Sequence, residues 1–155
     1  MPSRPDRGGR EQPRAFFREA LAQLCEYARW AAEGSRVAED GAEQRAHWEV
    51  AARRGNADAL ARLSGPEFPE ELADLWTMFA TLSAMRGEGM SGPAPLTAEA
   101  IRAGDVLLGW QLHPHEVEAL VQLDIVTRRA WRGESVDAEA TPRPFTAWPV
   151  KKMQA

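Results

Sequence analysis

Residues 82–95, LSAMRGEGMSGPAP, set three glycines and two prolines between two stretches of strong helical pattern. Glycine tolerates positive φ, whereas proline fixes φ near −65° and has no backbone N–H to donate. No helix runs through Gly87, Gly89, Gly92, Pro93 and Pro95, yet the segment is too short for a domain linker. It reads as an ordered turn that sets the angle between two helices.

The flanking pattern predicts helices throughout. Phe17, Ala20, Leu21, Leu24, Ala28 and Ala31 recur at three- and four-residue spacing, which predicts a helix over 13–32 with Pro13 in its first turn. A second helix is expected over 42–54, with Ala46, Val50 and Trp48 inward. A third over 57–63 would be capped by Asn56, carry Leu60 and Leu63, and be broken by Ser64, Gly65 and Pro66. The strongest stripe, Leu72, Leu75, Trp76, Phe79 and Leu82, predicts a core helix over 69–85. Thr97 opens a helix over 98–109 whose apolar face is Ile101, Val106, Leu107, Leu108 and Trp110. Gly104 weakens that helix by about 1 kcal/mol relative to alanine. Pro114 opens the last helix, 114–132, with Val117, Leu120 and Val121 as its stripe and Arg128, Arg129 and Arg132 at its negative end.

The expected class is all-α: a single small helical domain of about five helices. Residues 1–12 are expected to be a disordered N-terminal tail, 13–65 an N-terminal helical hairpin region, 66–132 the core, and 133–155 a disordered basic and aromatic tail. Phe145 and Trp148 in that tail suit either a binding peptide or a strap over the domain.

Charge narrows the partners. Lys and Arg number 19 against 23 Asp and Glu over 155 residues. Bases and acids divide 11 to 10 in residues 1–65, 2 to 10 in 66–124 and 6 to 3 in 125–155. An acidic centre repels phosphate, so no nucleic acid is expected as partner. The single cysteine, Cys25, forms no internal disulfide and reads as a small buried hydrophobe. No window is apolar enough to span a bilayer and the N-terminus has no apolar secretory run, so no membrane is expected and the cytoplasm is the expected location.

Little in the chain points to catalysis. Residues 87–92 match GxGxxG literally, but the dinucleotide fingerprint follows a strand and opens directly into a helix. Here a helix precedes, Pro-Ala-Pro follows, and Glu88 would repel phosphates. His113 and His115, two apart, do not share a helix face, and no second cluster stands at ligand spacing. Cys25, Ser83 and Ser91 lack a cue for nucleophile activation. No catalytic residue, cofactor or metal is therefore expected. Helices 98–109 and 114–132 have the lengths of a helix-turn-helix pair, but His115, Glu116 and Glu118 would face the bases. Of the six tryptophans, Trp76 and Trp110 belong to a core.

The run from Pro66 to Asp124 resembles the tail assembly chaperones of long-tailed bacteriophages and prophages. The resemblance lies in a "LW…F…LS…R" helix, a glycine turn with "G-P-x-P-L", and a helix reaching "L-x-P-x-E-V-x-A-L…LD". It implies a non-enzymatic helper that holds the tape measure protein while tail tube subunits polymerise around it. Tape measure protein and tail tube protein are the implied partners, and self-association is left open. The expected client-binding residues line a groove between helices 69–85 and 114–132, beside the glycine turn. They are Trp76, Phe79, Arg86, Gly87, Gly89, Gly92, Pro93, Pro95, Trp110, Pro114, Glu116, Leu120 and Asp124. Arg86, one of two bases in the acidic block, is expected to pair with Asp124, Glu88 or a helix C-terminus. The alternatives are a small phage helix-turn-helix DNA-binding regulator and a structural head–tail or virion component.

Overall fold

A computed structural model describes residues 11–90 and 92–134. Helix α1 (Glu11–Ser35) is followed by α2 (Gln44–Arg53), α3 (Ala57–Ser64) and α4 (Ala73–Met85), the last entered through a 3₁₀ turn at Glu70–Leu72. Strands β1 (Glu88–Gly89) and β2 (Gly92–Pro93) then precede α5 (Ala98–Leu108) and α6 (Pro114–Trp131). The class is all-α as expected, with six α-helices among the described residues. The expected disordered segments lie mostly outside the described residues, as do Phe145 and Trp148. Residues 11 and 12, expected in the N-terminal tail, instead form the first turn of α1. Pro13 is tolerated there because first-turn N–H groups have no acceptor within the helix.

Local chemistry fixes the helix ends. The side chain of Asn56 accepts the Ala59 N–H (3.0 Å) and that of Thr97 accepts the Ala100 N–H (3.1 Å). Gly109 ends α5 in the left-handed conformation, φ 66°. Between α1 and α2, the Asp40 carboxylate accepts the Ala42 N–H at 3.1 Å and lies 3.2 Å from His47 Nε2. These contacts, the Ala42 N–H first, hold its carboxyl below the usual range.

The core joins α1, α4, α5 and α6. Ala20, Leu21, Leu24 and Ala28 from α1 share one buried cluster with Leu75, Phe79, Leu82, Ile101, Ala119, Leu120 and Leu123. Ala28 and Ala119 are both fully buried; such small side chains let helices approach closely. Tyr27 gathers an aromatic group around itself, with ring centroids 5.5 Å from Trp30, 4.9 Å from Phe68 and 5.4 Å from Trp76. Cys25 is half-buried. Burial, then the neighbouring Glu26, pushes its thiol up to about 11. Alkylation at pH 8 is therefore expected to run about a hundredfold slower in the native protein than in urea, because the thiolate is the nucleophile. Equal rates in the two conditions would contradict this burial.

Three helix faces differ from the sequence expectation. In α2 Trp48 turns inward while Ala46 and Val50 face solvent. In α3 Ala59 is buried and Leu60 is 60% exposed. In α5 only Ile101 and Gly104 are buried; Val106, Leu107 and Leu108 are exposed. Three consecutive residues span about 200° around a helix at 3.6 residues per turn, so they cannot share one buried face.

Gly104 explains how α5 seats. A Cβ there would lie 2.7 Å from Trp110 Cζ3 and 3.2 Å from Leu82 Cδ2. The missing side chain lets Trp110 fold back beneath the helix. Gly104→Ala is thus expected to destabilise by about 1–3 kcal/mol through overpacking, although alanine is the better helix former. A urea midpoint that rises instead would refute the close contact.

Candidate functional site: a clipped hairpin at the α4–α5 elbow

The elbow is more than a turn. Its backbone forms a short antiparallel ladder, with Glu88 opposite Pro93 and Gly89 opposite Gly92. The Ala94 N–H donates to the Gly87 carbonyl (3.0 Å) and extends the pairing. Gly92 has φ +114°, open in practice to glycine alone. Pro93 fits because a strand with a single neighbour can dispense with an N–H.

Charge clips this hairpin to α6. Asp124, 4% exposed, projects from the middle of α6. Its carboxylate accepts from Arg86 Nη1, from the Leu96 N–H (3.2 Å) and from Arg128 Nε (3.0 Å). Arg86 leaves the C-terminal end of α4 in extended conformation and also donates to the Ala94 carbonyl (3.4 Å). Its side chain is only 10% exposed. One carboxylate thus ties together the end of α4, the exit of the hairpin and the last turns of α6. Between hairpin and α6 lies a cleft of about 230 Å³ lined by Gly89, Gly92, Pro93, Ala94, Pro95, Arg128 and Arg132.

Of the expected client-binding residues, Arg86, Gly87, Gly89, Gly92, Pro93, Pro95 and Asp124 meet at this elbow. Gly87, Gly89 and Pro95 are exposed, Gly92 and Pro93 half-buried. Phe79 and Leu120 lie in the core, and Trp76 is half-buried among the aromatic rings. Trp110, Pro114 and Glu116 are placed instead at the α5–α6 connection. There the Glu116 carboxylate accepts the His113 N–H (2.8 Å) and Asp105 accepts the Leu112 N–H (2.9 Å). The His113 and His115 rings stack 5.7 Å apart, and His115 packs edge-on against Phe17 at 4.8 Å. The sequence reading places Arg128 only at the negative end of its helix, not on Asp124, and does not single out the Leu96 N–H. The i, i+4 spacing of Asp124 and Arg128 was the available signal for the first.

Among the described residues no group of three or more His, Cys, Asp or Glu is placed to hold a metal ion. No helix among them is long and apolar enough to cross a membrane. Fold and site together define a small all-α domain built around an ion-clipped β-hairpin. Residues 51–129, about half of the chain, match the family model described as phage tail assembly chaperone, and the chain belongs to that family. The match takes in the end of α2, α3 to α5, the hairpin, and α6 as far as Arg129, so it contains the whole Arg86–Asp124–Arg128 clip. No curated protein and no solved structure matches the chain.

Proposed function

We propose that the chain is a non-enzymatic chaperone that holds the tape measure protein during tail assembly in the host cytoplasm and releases it to the tail tube protein. The family match over 51–129 carries this reading. The client would meet the exposed and half-buried residues of the elbow, Gly87, Gly89, Gly92, Pro93 and Pro95, with Trp76, Trp110, Pro114 and Glu116 as further contacts. Phe79, Leu120 and Asp124 would act by shaping that surface from below, and Arg86 by holding the hairpin in place. The acidic centre favours this use: it keeps a complex with an aggregation-prone client soluble.

Co-expression tests the reading. The tape measure protein should be recovered soluble and bound when made with this chain, and insoluble when made alone. Purified virions should lack the chain by mass spectrometry; its presence there would favour a structural component. A salt-sensitive shift of DNA mobility would favour the regulator instead. Arg86→Gln that left both folding and client capture unaltered would remove Arg86 from the site.

A further inference from the structure

The cleft between the hairpin and α6 carries the opposite sign from the centre of the chain. Residues 66–124 hold ten acids and two bases, yet none of the seven residues lining the cleft is an acid, and Arg128 and Arg132 are bases. Arg132, at the C-cap of α6, stands four residues after Arg128, so both fall on one face. The helix dipole accounts for bases in a last turn, but not for two of them lining a cavity. Nor is their charge matched. Asp124 is one carboxylate shared by two guanidiniums, through Arg86 Nη1 and Arg128 Nε. Arg132 meets Glu134 through Nε at 2.9 Å, in a pair 39% and 51% exposed, where water screens the attraction. At this corner three guanidiniums share two carboxylates among the described residues. Arg128 and Arg132 are each engaged through Nε, which leaves their terminal nitrogens as donors.

We infer that this cleft receives an Asp or Glu side chain of a partner protein, its carboxylate held by Arg128 and Arg132. A guanidinium donates and cannot accept, so the ligand must be an acceptor, and the planar fork of Arg fits a planar carboxylate. Backbone recognition is closed off. Pro93 and Pro95 have no N–H, and the N–H and carbonyl of Ala94 are already bonded to Gly87 and Arg86, so no strand can add along this wall. Size then selects the class of ligand. About 230 Å³ falls short of the ~300–1,000 Å³ of sites that enclose cofactors and drug-sized molecules. A free phosphate would leave much of that space to water. An acidic side chain fills it better, with its methylene carbons against Pro93, Ala94 and Pro95. Gly89, exposed and without a side chain, leaves room for the partner's backbone to pass. The inference deepens the client-binding reading of the elbow and rests on it only for the source of the acid, the client.

The test titrates the full-length chain with a blocked alanine pentapeptide bearing a central glutamate, and with its central-glutamine twin, followed by amide NMR. The glutamate peptide should shift Gly89, Gly92, Ala94, Arg128 and Arg132 and saturate. The glutamine peptide should bind about tenfold or more weakly, and so should the glutamate peptide to Arg132→Gln. The two losses should not add, because each removes the same contact. Arg132 pairs only at the surface, so the variant should keep the wild-type melting temperature. Arg102→Gln, an exposed base on α5 outside the cleft, should leave binding unchanged. Equal binding of the two peptides, additive losses, or shifts confined to other elements would overturn the inference. So would displacement of the glutamate peptide by an equal concentration of inorganic phosphate, which would mark a site for free anions. A dimer in sedimentation that Arg132→Gln abolishes would overturn it by making a second copy the occupant. Tighter peptide binding on removing residues 135–155 would do so by making the chain's own C-terminal segment the occupant. Tape measure capture by wild type without peptide binding would sink the acid site alone; peptide binding without capture would sink the chaperone reading alone.

Discussion

Asp124→Asn is expected to lower the unfolding free energy by about 3–5 kcal/mol, as a fall in the urea midpoint at unchanged slope. The size follows from burial. An exposed ion pair contributes ~0–1 kcal/mol because water screens it. Here the two side chains are 10% and 5% exposed, so the pair belongs to the buried regime. Asparagine nearly preserves the shape and can still accept the Leu96 N–H, but it leaves the Arg86 guanidinium out of water without a counter-charge. Removing one partner of a buried pair is costly for that reason, whereas replacing both by apolar groups is often close to neutral. Arg86→Met in the Asp124→Leu background should therefore recover part of the loss. Recovery stays incomplete, because the Leu96 N–H and Ala94 carbonyl lose partners at about 1–3 kcal/mol each if they remain buried. Set against a typical total of ~5–15 kcal/mol, the single substitution should leave a marginal domain. A loss below ~1 kcal/mol would mean that the clip does not hold the hairpin, and amide exchange at Ala94, bonded to Gly87, would show where the structure opens.

Much of this arrangement is legible in the sequence, for identifiable reasons. Long stripes such as that of α1 report burial directly, and Asn56, Thr97 and Gly109 act within a few residues of themselves. Arg86 stands out because a base in so acidic a block must find an acid, and the structure supplies Asp124. The hairpin was hidden because two-residue strands are too short to show alternation. A stripe says that a helix is covered but not by what, so the sharing of one core by α1 and α6 could not be read. Gly104 looked like a weak point in a helix; its contact with Trp110 depends on where the chain returns after Gly109. The exposed run of α5 misled for the opposite reason. Val106, Leu107 and Leu108 are apolar enough to be counted as core, and only their phase around the helix shows that they cannot be.

Gly65→Ala should cost about as much as breaking the clip, through contacts in the other half of the domain. Gly65 ends α3 at φ 62°, ψ 177°, a backbone region that is essentially glycine's alone. Holding another residue there costs about 1–3 kcal/mol. Space adds to strain: a Cβ would sit 2.5 Å from Trp30 Cε2 and 2.7 Å from Cζ2. The ring cannot yield freely. Its N–H donates to the Arg62 carbonyl at 2.6 Å, and the Arg45 guanidinium lies 4.6 Å from its centroid. Displacing Trp30 would forfeit a hydrogen bond of ~0.5–1.5 kcal/mol and a cation–π contact of ~0.5–1 kcal/mol. The expected total is about 3–5 kcal/mol, read from urea denaturation, with near-ultraviolet circular dichroism reporting on the indole. Gly55→Ala is the control. Its φ is +87°, also unfavourable for alanine, but nothing lies within 4 Å of the added Cβ. It should lose only the backbone part, about 1–2 kcal/mol. The difference between the two variants reports chiefly the contact with Trp30, which joins α1 to the end of α3 and to α2, together with the harsher backbone region held by Gly65. Equal losses would mean that the indole moves aside without cost, and that α2 and α3 are held to α1 by something other than this ring.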